Sequence, residues 1–260
     1  MNALKLFFFL FCCFISYGLS AQTPKDIEID LYRSFQKIDN WQDRQDTLSN
    51  RDSLENANND FAQRLKKYTT EYPFTIDQKF TELVKDHLDI ASSVDGLFRI
   101  YSWDTWLGGS KHAFENLFQF KANNSTISDL KKADASMEGH PTYWFSNLYT
   151  LKVNDKTYYL AVFNGVYSAK DAGQGIQVFT IENGKLIDDI KLIKNTSGLH
   201  NQLYYDYDLL SVVHLKVRPS VYFDDASNSI FVPLVDGDGK VTNKYITYKF
   251  TGQYFEKVKN

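Results

Sequence analysis

Cysteine is nearly missing from this chain. Its 260 residues hold two, Cys12 and Cys13, both within the first twenty positions. Without that stretch no thiol remains, which excludes thiol catalysis, thiolate zinc sites and disulfide crosslinks. At about 240 residues a core can still close without such staples. An excess of either charge is also lacking: 29 basic residues meet 32 acidic ones, giving a net charge of −3 and a pI near 6.0. Lys and Arg form no stripe, so nucleic acid has no electrostatic footprint here. After residue 20 no apolar run approaches the roughly 20 residues of a spanning helix. There is no G-x-S-x-G elbow, P-loop or dinucleotide fingerprint; Gly173-Gln-Gly175 lacks a third glycine and precedes a strand. Nothing in the sequence calls for a cofactor.

The first residues have the three parts of a secretory signal. Lys5 supplies positive charge, residues 6–15 are apolar, and Gly18, Ser20 and Ala21 are small residues at the cleavage point. We expect a signal peptide over residues 1–20, cut after Ser20 or Ala21, and an exported product: periplasmic, on the cell surface or secreted. The absence of disulfides favours a bacterial envelope over an animal extracellular space. Cys12 and Cys13 sit in the middle of the apolar run, after Phe11, which does not suit lipid attachment.

The remainder changes character near residue 93. Before it the apolar spacing is helical, and after it short runs alternate between turns. Residues 22–92 are expected to be helical and 93–260 to form an antiparallel β domain. The first helix is predicted over 24–39, with Thr23 as cap, Pro24 in the first turn and Ile27, Leu31, Phe35 and Ile38 on one face. A second is predicted over 41–72, ending before Pro73, and a third over 76–90. Strands are predicted over 97–103, 114–120, 143–153, 156–163, 176–181, 185–187, 203–207, 210–217, 220–223, 230–235, 245–250 and 254–258. Their connections are too short for helical crossovers, which argues against a parallel sheet. A weak repeat of strand, small turn and strand recurs at Asn123-Asn124, Asn183-Gly184 and Thr251-Gly252. The fold class is therefore α+β: helices, then an antiparallel β-meander that is propeller-like in local pattern. A β-sandwich or barrel is the alternative.

Aromatics are plentiful at 16%, with 17 Tyr and 20 Phe. Such side chains fill cores and also stack on sugar rings. The segment DGLFRIYSWDTWLGG, from Asp95 to Gly109, resembles a group of uncharacterised exported bacterial proteins with a signal, a short helical section and an aromatic-rich β region. The resemblance implies export and architecture and carries no activity.

The densest polar–aromatic cluster follows from that segment. Trp103, Asp104, Trp106, Lys111 and His112 surround a Gly108-Gly109 turn. Trp offers a stacking plate, and the charged groups can bond hydroxyls. A hairpin with core-capping Trp and a turn-capping Asp104 is the plainer account. His140, before Pro141, is expected to join the same rim. His112 and Glu115 would diverge on a strand, and the five histidines are dispersed, so no metal site is expected. Asp236-Gly-Asp-Gly resembles the start of a calcium loop, but Lys240 and Thr247 stand where oxygen ligands are needed, and a turn fits better. Ser34-x-x-Lys37 and Ser128-x-x-Lys131 match a serine acyl-enzyme pattern without its companions. Asp206 with Asp208, Asp188 with Asp189, and Asp224 with Asp225 offer carboxylate pairs for glycoside hydrolysis, or solvated strand ends.

The expectation is thus a non-enzymatic binding module for a glycan, envelope component or protein. The alternatives are an envelope assembly protein working through its N-terminal helices, and a carboxylate-dependent hydrolase of an extracellular polymer.

Overall fold

The computed structural model describes residues 22–44, 47–131 and 143–259. The expected leader and His140 lie outside the described residues. Helix α1 spans Pro24–Gln42, α2 Leu48–Glu71 and α3 Thr81–Lys85. Thr23 caps α1 reciprocally: its hydroxyl accepts the Asp26 N–H, and the Asp26 carboxylate accepts the Thr23 N–H. Thr47 caps α2 by accepting the Asn50 N–H at 3.2 Å. Trp41 therefore belongs to α1, not to the second helix as expected.

The third helix is also much shorter than expected. Pro73–Asp77 is a 3-10 turn, and β1 already runs over Asp89–Ser92. Phe80 and His87 take left-handed backbone angles, φ 45° and 69°, and so break the helix on both sides. The β region thus begins four residues before position 93, because pairing with the next strand outweighs the helical apolar spacing.

Thirteen further strands complete the count through Phe250. They are β2 (Phe98–Asp104), β3 (Phe114–Ala122), β4 (Ser125–Lys131), β5 (Trp144–Val153), β6 (Lys156–Val166), β7 (Asp171–Glu182), β8 (Lys185–Ile187), β9 (Ile193–Asn195), β10 (Gly198–His200), β11 (Gln202–Asp208), β12 (Tyr222–Asp224), β13 (Ser229–Val235) and β14 (Val241–Phe250). The last strand, β15, is Phe255–Lys257. The strand expected over 210–217 is instead a 3-10 turn, Leu209–Ser211, started by Asp208 accepting the Leu210 N–H at 2.9 Å.

Among the described residues the strands form three open sheets and no closed barrel. The first has the order β1-β2-β3-β4. The central one has β11-β7-β6-β5, with β8 also on β7. The third has β10-β9-β15-β14-β13-β12. Pairing is antiparallel except between β15 and β9. Asn123-Asn124 and Asn183-Gly184 have positive φ at both positions, as tight hairpin turns require.

Strand alternation stacks these elements in layers. On the first sheet Tyr101, Trp103 and Leu117 pack against Ile27, Leu31, Phe61 and Leu65 of α1 and α2. Phe98, Ile100, Phe118 and Phe120 point the other way, onto Phe145, Tyr159, Phe163 and Phe179 of the central sheet. The opposite face of the central sheet sends Leu160, Val162, Ile176 and Val178 onto Ile230, Val232, Tyr248 and Phe255 of the third. Among the described residues no helix is long and apolar enough to cross a membrane.

Candidate ligand-binding site

The loop between β2 and β3 is closed at its base by Thr105, whose N–H and hydroxyl both donate to the Ala113 carbonyl, at 2.8 and 2.7 Å. Within it, Gly108 has no room for a side chain: a Cβ there would lie 1.8 Å from the Lys111 carbonyl oxygen. Trp103, expected on the rim, is instead core. It is fully buried, its ring meets Phe61 edge-on at 5.1 Å, and its Nε1–H donates to Asn58 Oδ1 at 3.2 Å. Alternation along β2 turns Trp103 toward the helices and Asp104 away from them.

Asp104 does two things. One carboxylate oxygen accepts the Trp106 N–H at 2.9 Å, capping the turn, and the other is hydrogen-bonded to His112 Nδ1. Trp106 is held at φ 59°, a costly conformation for a bulky residue, and is 38% exposed. Its ring meets His112 at 5.6 Å. His112 stacks on Phe114, and Phe114 packs on Trp144 at 4.7 Å. Lys111 is half-buried in the same loop. The His112 N–H donates to the Val166 carbonyl at 3.2 Å, tying the loop to the central sheet. Asp104, Trp106 and His112 are therefore one cluster, with Lys111 beside them.

A second set of groups adjoins the cluster through Val166. Tyr167 folds back over the cross-strand pair Gly165 and Gly173. A Cβ on Gly173 would fall 2.0 Å from the Tyr167 hydroxyl, and one on Gly165 would fall 2.7 Å from its ring. That hydroxyl is hydrogen-bonded to Tyr143 and to Asp206. Burial, reinforced by Tyr143 and the Asp206 charge, pushes the Tyr167 phenol well above its ordinary range, so it remains a neutral donor. Sequence reasoning passed over Tyr143 and Tyr167. The signal was there, because glycines inside an apolar strand mark close approach by another group.

Three other carboxylates serve turns. Asp208 caps the 3-10 turn, Asp224 accepts from the backbone and hydroxyl of Ser227, and Asp236 accepts the N–H groups of Asp238 and Lys240. Among the described residues no three His, Cys, Asp or Glu side chains are grouped to hold a metal. A separate cleft of about 580 Å³ lies between the β1–β2 turn, β5 and the β12–β13 hairpin, lined by Asp95, Tyr149, Lys152 and Phe223.

No family model, curated protein or solved structure matches this chain.

Proposed function

We propose that this protein is an exported, non-enzymatic binding module whose ligand, a glycan or another hydroxyl-rich envelope component, docks on the Asp104–Trp106–His112 rim. The observation that carries the reading is Trp106: an exposed indole held in a strained backbone conformation by Asp104 and flanked by a polar Asp–His pair. Strain of this kind collects at ligand clamps. An exposed ring beside paired hydrogen-bonding groups is what a sugar face and its hydroxyls require. Lys5, the apolar run after it and the small residues at 18–21 support export.

The helices favour this reading over assembly through a helical arm. Their apolar faces are spent on the first sheet. Part of their outer surface is an ion-pair chain, Lys37–Asp60–Arg64–Asp30. Three open sheets, antiparallel apart from the β9–β15 pair and with β1, β5 and β12 each at an edge, support an open, propeller-like arrangement.

A glycan microarray, followed by calorimetry on the glycans bound, tests the function. Wild type binds, Trp106→Ala weakens binding roughly tenfold, and Trp106→Phe restores part of it. Absence of any bound glycan, or binding indifferent to Trp106→Ala in a folded variant, sinks the reading.

A further inference from the structure

We propose that the ligand is an extended neutral oligosaccharide, gripped a second time by Tyr204 and Asp206 on β11; this rests on the reading of the Trp106 rim as a glycan site. Tyr204 and Asp206 are two apart on a strand, so they share a face. Their partners across the ladder are Gly175 and Gly173. The space a side chain would take at each glycine is filled from elsewhere, by the Phe163 ring at Gly175 and by the Tyr167 hydroxyl at Gly173, so the strand face beneath Tyr204 and Asp206 is firmly packed. Tyr204 is 58% exposed. Asp206 is exposed too, yet it is fixed in place by the Tyr167 hydroxyl. A carboxylate has about four lone-pair sites, and the one Tyr167 occupies leaves others for the hydroxyls of a sugar. An open ring beside an anchored acceptor repeats the chemistry of Trp106 beside Asp104.

The two contacts share one scaffold. The His112 N–H is bonded to Val166, the residue before Tyr167, and Tyr167 carries Asp206. Val166 and β11 are separated by two strand spacings, from β6 to β7 to β11, roughly 10 Å. A single sugar ring does not bridge that gap, whereas a short chain does. The carboxylates at the two contacts are each engaged by a neighbour, Asp104 by His112 and Asp206 by Tyr167, with Lys111 in the same loop as Asp104. A neutral polyol suits this surface better than an ion does.

The test is titration with chito-, cello- and malto-oligosaccharide ladders of one to six units, using the full exported chain. Wild-type affinity climbs with length beyond two units for at least one ladder and changes little up to 0.5 M salt. Tyr204→Ala and Asp206→Asn each abolish most of that gain, about tenfold for the longest members, and leave the shortest unaffected. Trp106→Ala weakens every length. Tyr167→Phe, which keeps the ring but loses the anchor, reduces the gain in part. Length-independent binding, or unchanged affinity in Tyr204→Ala, overturns the second contact and leaves the Trp106 rim standing. Affinity that collapses with salt overturns the neutral ligand. If no ladder binds, this inference falls, and the microarray decides whether the rim falls with it.

Discussion

Toward the first sheet, the central sheet presents Tyr159, Phe163 and Phe179; toward the third it presents Leu160, Val162, Ile176 and Val178. The same strands supply both sets, one residue out of phase. On the first side rings meet at steep angles, Phe179 lying 5.6 Å from Phe98, tilted, and 5.6 Å from Phe118, edge-on. On the other, the central sheet contributes branched aliphatics, which pack on Phe223, Tyr248 and Phe255 of the third sheet. The two seams also end differently. The aromatic seam continues past Phe163, which touches Tyr143 at 4.7 Å, into the group around Tyr167 and Asp206. The candidate site is the open end of that seam. Core packing and the proposed site therefore draw on one aromatic array on this side of the sheet, and on the other side the proposed site has no share in the packing.

That contrast can be broken by cutting each seam at a matched depth. Phe163→Ala is expected to cost about 3–5 kcal/mol in urea unfolding and to weaken glycan binding, because Tyr143 loses its support. Leu160→Ala is expected to cost about 2–5 kcal/mol with affinity intact in the folded fraction. Equal loss of affinity in both variants would end the distinction between the seams.

Gly173→Ala sharpens the contrast at the site itself. The new methyl displaces the Tyr167 hydroxyl, so we expect destabilisation of about 1–3 kcal/mol, as for other overpacked positions, with weaker binding to long oligosaccharides. A variant as stable as wild type would mean that Tyr167 is not seated on the glycines.

The smallest effect concerns charge at the same seam. Asp89 shares the β1 face of Ala91, which packs into the aromatic side. Burial raises its carboxyl from 3.8 to about 6, opposed by nearby His87. The fold therefore favours the protonated form. Asp89's contribution is best below pH 4 and is lost as pH rises through about 6. Asp89→Asn is expected to stabilise the protein at pH 7.5 and to change little at pH 4. Chemical denaturation at both values checks it, and an advantage confined to acid pH would reverse the sign.

Parts of this architecture can be read without coordinates. The Asn183-Gly184 hairpin and the Thr23 cap follow from local chemistry, and both form as local rules require. Residues 76–90 mislead because their apolar spacing is helical, yet Asp89–Ser92 finds a better set of hydrogen bonds on β2. Trp103 was legible by alternation as opposite to Asp104. That its face was the inner one depends on α2, some forty-five residues earlier, through Asn58. Tyr167 and Asp206 are joined only by the return of β11 onto β7, a pairing that no local pattern announces.

Asn58 has a further consequence. Its side chain accepts from Trp103 Nε1 and donates to the Thr105 carbonyl, so α2 clasps the chain on both sides of Asp104. A molecule that prefers the loop in this shape also prefers α2 in its seat. Linkage makes the preference mutual: occupancy at the surface would slow amide exchange in a buried helix turn, and loosening that turn would loosen the grip outside.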